Sequence, residues 1–141
     1  NSIPSGIPPL DVALSATLTS LSLENYSMSD HFVQCSLKPC SNLVKLEIRG
    51  VHLAMSDEEM LHTFQWLGSN PRLQWLDLSD ITDISDSCFL EAYFAALQTI
   101  SPAPLRVLKI AGWMVMEGML LDLLESSPNI TFLDLMRTAE K

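Results

Sequence analysis

The sequence predicts an α/β fold: a solenoid of about five strand–loop–helix units whose strands form one parallel, concave sheet. Three observations carry this expectation. A six-residue pattern with Leu or Ile at its first, fourth and sixth positions recurs five times. A small-polar stretch marked by Pro precedes four of the five copies. Helical apolar patterns fill the spacers between copies. A single unit of this kind cannot bury its own apolar face, and stacking hides it.

The strands come in chain order. They read Leu18-Thr-Ser-Leu21-Ser-Leu23, Leu43-Val-Lys-Leu46-Glu-Ile48, Leu73-Gln-Trp-Leu76-Asp-Leu78, Leu105-Arg-Val-Leu108-Lys-Ile110 and Ile130-Thr-Phe-Leu133-Asp-Leu135. Their first positions are 25, 30, 32 and 25 residues apart. Residues one, four and six of each copy are expected in the core. The stretches before the strands are Pro39-Cys-Ser-Asn, Ser69-Asn-Pro71-Arg, Ser101-Pro-Ala-Pro104 and Ser126-Ser-Pro128-Asn. Each ends the element that came before it.

The helices follow from caps and spacing. The first is short, about Asp30 to Leu37, with Phe32 and Val33 inward. Ser56-Asp57-Glu58-Glu59 is a capping box: Ser supplies an oxygen to a free N–H and Glu answers from three residues on. Met60, Leu61, Phe64 and Leu67 then share one face. The next helix starts near Ser87 and turns Phe89, Leu90, Tyr93, Phe94 and Leu97 inward. The last starts near Glu117, with Leu120, Leu123 and Leu124 inward. Residues 1–17 read as an extended, Pro-rich lead-in (Asn1 to Pro9) and a partial cap (Asp11 to Ala16). Residues 18–141 read as the repeat domain, and the whole as a piece of a longer protein.

These five copies resemble the leucine-rich repeat family. The helices and the spacing are similar to its ribonuclease-inhibitor-like and F-box-associated branches. The chain departs from the family where Asn or Cys usually stands eight residues after the first Leu. Here those positions hold Tyr26, Val51, Ile81, Trp113 and Thr138. The resemblance implies protein–protein recognition, in one form the substrate-recognition segment of a ubiquitin-ligase adaptor, although no F-box sequence is visible. The alternatives are a structural spacer within a larger protein, or an enzyme of ordinary α/β topology.

Composition narrows the field. The net charge is −9, with 8 basic residues and none in a run, which argues against nucleic-acid binding. Hydrophobic residues make up 48% of the chain, yet no apolar run is long enough for a membrane span. Cys35, Cys40 and Cys88 do not make a disulfide framework, which favours a reducing, intracellular compartment. The sequons Asn25-Tyr26-Ser27 and Asn129-Ile130-Thr131 would matter only in a secreted chain.

Catalytic and metal chemistry finds little support. His31, Cys35 and Cys40 lack a second close ligand pair, so ordinary thiols are expected there and no metal or cofactor. His52 and His62 read as surface residues. Asp77, Asp80, Asp83 and Asp86 lack the spacing and Gly turn of a calcium loop and read as a solvated loop. No phosphate loop, nucleophile elbow or acid/base pair is visible, so no enzyme is expected.

The outward strand positions carry the functional expectation. One row is Ser20, Lys45, Trp75, Val107 and Phe132. The next is Ser22, Glu47, Asp77, Lys109 and Asp134. A third is Glu24, Arg49, Ser79, Ala111 and Met136. Trp75, Val107 and Phe132 are expected side by side, amid Lys45, Glu47, Arg49, Asp77, Lys109 and Asp134. Aromatics in a charged rim are the usual make-up of a binding hot spot. This row is the expected partner site, unless another segment of the full protein covers it. Self-association through the last strand is also expected, because no helix is expected beyond it.

Overall fold

The alternating Leu pattern forms strands where it was expected. The computed structural model describes residues 17–81, 88–100, 103–115, 117–135 and 139–140. The lead-in, the Ser87 helix start, Asp83, Asp86, Met136 and Thr138 lie outside them. Strands β1 (Ser20–Glu24), β3 (Lys45–Arg49), β5 (Trp75–Asp77), β6 (Val107–Lys109) and β8 (Phe132–Asp134) form one parallel sheet, in chain order. The register is that of the sequence pattern: Leu21, Leu46, Leu76, Leu108 and Leu133 are successive partners. In the three middle copies every pattern Leu or Ile is buried, while Leu21 and Leu133 on the outer strands are only half-buried.

Strands β1, β3, β5 and β6 each leave the sheet through a sharp turn. Asn25, Gly50, Asp80 and Gly112 have φ of 60°, 61°, 59° and 91°. All four stand seven residues after the first position of their copy. A left-handed backbone is open to Gly and tolerated by Asn and Asp, which explains the residue types. The ladder continues through these turns: Asn25 N–H donates to Arg49 O at 3.0 Å, Gly50 N–H to Ser79 O at 3.0 Å and Asp80 N–H to Ala111 O at 2.9 Å. Two short parallel pairs follow, β2 (Ser27–Ser29) with β4 (His52–Ala54) and β7 (Met114–Val115) with β9 (Ala139–Glu140).

The helices return the chain. Helix α1 (Asp30–Phe32) is capped by Ser29, whose Oγ accepts from Phe32 N–H at 3.2 Å. It runs on as a π-helical turn, Val33–Leu37, closed by Lys38 N–H to Val33 O at 2.8 Å. Helix α2 (Asp57–Gly68) carries the complete capping box: Ser56 N–H donates to Glu59 Oε1 at 2.9 Å and Glu59 N–H to Ser56 Oγ at 3.2 Å. Helices α3 (Cys88–Leu97) and α4 (Glu117–Ser126) complete the layer. One core joins sheet and helices, from Leu23 to Leu123.

One inward assignment is corrected. In α4 the buried residues are Met119 and Leu123, with Leu120 half-buried and Leu124 exposed. The buried pair is spaced by four residues, so it defines the inward stripe. Leu124 is one step of about 100° around the helix from Leu123.

Helices α2 and α3 approach closely at Gly68. A Cβ there would collide with the Tyr93 carbonyl oxygen and stand 2.8 Å from Ala96 Cβ. Helix propensity favours Ala over Gly by about 1 kcal/mol, but overpacking against a backbone atom costs about 1–3 kcal/mol and cannot be relieved by a rotamer change. Gly68→Ala is therefore expected to lower the denaturant midpoint. A midpoint at or above wild type would show that the helices are not in this contact.

Candidate functional site

Strand alternation sends one set of side chains into the core and the other to the open face of the sheet. The expected row assembles there as Ser20, Lys45, Trp75, Val107 and Phe132, paired in that order. Trp75 is half-buried and Phe132 is 50% exposed. Lys45 Nζ lies 4.3 Å from the centre of the Trp75 ring, and Lys109 Nζ lies 5.1 Å from it. Lys109 Nζ is also 5.7 Å from the Phe132 ring centre. At these distances an ammonium is held by the negative face of the ring. Trp75 Nε1 is buried and has no hydrogen-bond partner among the described residues.

Two of the expected contact residues are corrected. Val107 is 9% exposed, so the apolar stripe is interrupted at its middle. It is the shortest of the three apolar side chains, with Trp75 and Phe132 as its register neighbours. Asp77 is 2% exposed and is not a rim charge. Its Oδ1 accepts from Ser79 N–H at 2.9 Å, and its Oδ2 lies 3.5 Å from Arg49 Nε. A buried carboxylate needs such partners, and here they also fix the exit from β5. Glu47, Lys109 and Asp134 are half-buried, and Arg49 is exposed.

The turn carries a residue whose role the sequence did not reveal. Trp113, where the resemblance places Asn or Cys, is 2% exposed. Its Nε1–H donates to Leu78 O at 2.7 Å, and its ring meets Phe64 edge-on at 5.6 Å. An indole N–H thus serves backbone in the preceding copy. The left-handed positions Asn25, Gly50, Asp80 and Gly112 were also missed, although their fixed offset and residue types were visible.

Elsewhere the candidate groups fall apart. Cys35 is exposed beside His31, with Sγ 3.7 Å from Nδ1, whereas the buried Cys40 thiol donates to Ser36 O at 3.2 Å. Among the described residues no three His, Cys, Asp or Glu side chains are grouped to hold a metal ion. His52 and His62 are exposed, and His62 lines an open groove between α2 and α3 with Trp66, Ala92 and Ala96. At the β8 end of the sheet, Leu121 and Leu124 on α4 and Phe132 on β8 are exposed. No helix among the described residues is long and apolar enough to cross a membrane. No protein-family model matches this chain, and no curated protein matches it significantly.

Proposed function

We propose that the chain is a leucine-rich-repeat solenoid segment that binds a protein partner through the open face of its sheet, without catalysis. The substrate-recognition segment of a ubiquitin-ligase adaptor is the concrete form we favour. The solenoid reading draws on the chain-ordered parallel sheet and on the left-handed turn at one offset in four copies. The binding reading rests on one observation: the Trp75 ring sits half-buried between Lys45 and Lys109, beside a half-exposed Phe132. Aromatic anchors of this kind carry most of the energy in known interfaces.

The test is affinity capture from cell extract with the full chain, followed by titration of the purified captured protein. Trp75→Ala is expected to weaken binding by about 2 kcal/mol or more, roughly thirtyfold. Glu47→Ala, a charge of the next row, is expected to change it by about 0–1 kcal/mol. Equal affinity for wild type and Trp75→Ala would sink the open-face reading. Unfolding of Trp75→Ala would assign the ring to the core instead. The alternative is a structural spacer stacked against further segments, which the exposed Leu121, Leu124 and Phe132 favour. It predicts no dependence of capture on Trp75.

A further inference from the structure

The molecule separates its charges by layer. Helices α2, α3 and α4 carry Asp and Glu but no Lys or Arg: three acids on α2, one on α3 and three on α4. On the sheet face Lys45, Arg49 and Lys109 stand among Glu47, Asp77 and Asp134, so the charge there is mixed. We infer that the outer face of the helix layer is a second interaction surface. It takes a basic amphipathic segment of a protein partner through the grooves on either side of α3.

Glu91 on α3 and Asp122 on α4 line a groove of about 290 Å³, with Phe94, Ala95, Gln98 and Met119 as its other walls. Phe94 and Met119 are buried and make an apolar floor, whereas Glu91, Gln98 and Asp122 are exposed at the rim. Ligand pockets run to roughly 300–1,000 Å³, so this groove suits one long side chain. A Lys or Arg fits it: the methylene stem packs on the floor and the charged head meets the carboxylates. Neither carboxylate has an ion-pair partner among the described residues. Helix stability accounts for Glu91 and Glu117, which stand in first turns. It does not account for Asp122, which lies in the middle of α4, where Asp is a poor helix former.

On the other side of α3 an open groove of about 530 Å³ runs over the half-buried Trp66, Ala92 and Ala96. Ala95 lines both grooves, so at that point a single methyl group separates them. Gly118, one turn before Asp122, has open space beside it. A partner backbone can therefore lie close across α3. The two grooves are about one helix diameter apart, roughly 10 Å, within reach of one segment. An apolar side chain on Trp66 and a cation between Glu91 and Asp122 are then held together. Charge selects the occupant: an acidic or neutral segment would desolvate the two carboxylates without pairing them, and a basic one pairs both.

The experiment titrates the full chain with three short peptides of one amphipathic pattern, carrying Arg, Gln or Glu at the polar positions. The readouts are affinity by calorimetry and the backbone amide resonances of Ala92, Ala95 and Ala96. The Arg peptide is expected to bind and to shift those resonances. Glu91→Gln combined with Asp122→Asn should weaken its binding about tenfold and leave the melting curve in place. Glu24→Gln combined with Glu140→Gln removes the same charge elsewhere and should leave the affinity as it is. Ala95→Arg sets a cation one turn after Glu91 within α3, and should block binding without lowering the melting temperature. An equal loss in the two charge-removing variants would reduce the effect to the net charge of −9 and overturn the inference. Gln or Glu peptides that bind as tightly as the Arg peptide would overturn it too, as would failure of every peptide to move the three alanines. Binding lost in Trp75→Ala but kept in the Glu91 and Asp122 variant would place the peptide on the sheet, against this inference and in favour of the open-face reading.

Discussion

Leu76→Ala is expected to destabilise the protein by about 2–5 kcal/mol, the usual range for truncating a buried Leu. Leu76 is fully buried on the middle strand of the sheet, and its register partners Leu46 and Leu108 are fully buried as well. The space left by the lost methyl groups is enclosed by ordered strands on both sides. It cannot collapse without moving backbone that is hydrogen-bonded in a ladder, so a cavity term adds to the transfer term. The same truncation at Leu21 or Leu133 should cost less, since those side chains are only half-buried at the sheet edges. Against a total stability of about 5–15 kcal/mol, the central change is large. Denaturant unfolding measures it directly. A shift below about 0.5 kcal/mol at Leu76, or an equal shift at Leu133, would show that the register is wrong.

The register was legible because strand alternation has period two and the pattern kept the same offset in each copy. One assignment of Leu46, Leu76 and Leu108 to the core fixed the outward set at once, including Lys45, Trp75 and Val107. What the period could not give was height above the sheet. Val107 is outward by alternation yet buried, with larger rings on both neighbouring strands. Asp77 is outward by alternation yet closed in by Arg49, which comes from a different copy of the pattern. Such cover depends on side-chain length and on pairs distant in sequence. The Lys45 and Lys109 contacts with Trp75 belong to the same class: the register pairs Lys45 with Trp75 but Lys109 with Asp77, and only rotamers brought both ammonium groups over the ring. In α4, Met119 took the inward place assigned to a Leu, because helix phase and not hydropathy decides which apolar residue faces the core. The left-handed turns were legible in principle. Asn25, Gly50, Asp80 and Gly112 share an offset and a tolerance for positive φ, a signal independent of the Leu pattern.

Trp113 separates packing from hydrogen bonding at the position eight residues after the first Leu of the fourth copy. Its ring is buried against Phe64, and its indole N–H holds a backbone carbonyl 35 residues away, at Leu78. Trp113→Ala removes both and is expected to cost about 3–5 kcal/mol. Trp113→Phe keeps an aromatic ring in the core but leaves the Leu78 carbonyl without its indole donor. An unsatisfied buried acceptor costs about 1–3 kcal/mol, so Phe should fall between wild type and Ala. Tyr is not a substitute, because its donor sits at the far end of the ring and not on the side where the indole nitrogen is. The measurement is a set of denaturant midpoints for Trp113, Phe and Ala at this position, together with hydrogen exchange in the turn from Leu78 to Asp80. If the indole bond ties two copies of the pattern together, the Phe variant will exchange faster in that turn while Leu46 and Leu76 stay protected. A Phe variant that melts and exchanges like wild type would show that Trp113 acts by volume alone. The backbone of the turn would then be held by the Asp80 N–H to Ala111 O bond and its neighbours in the ladder.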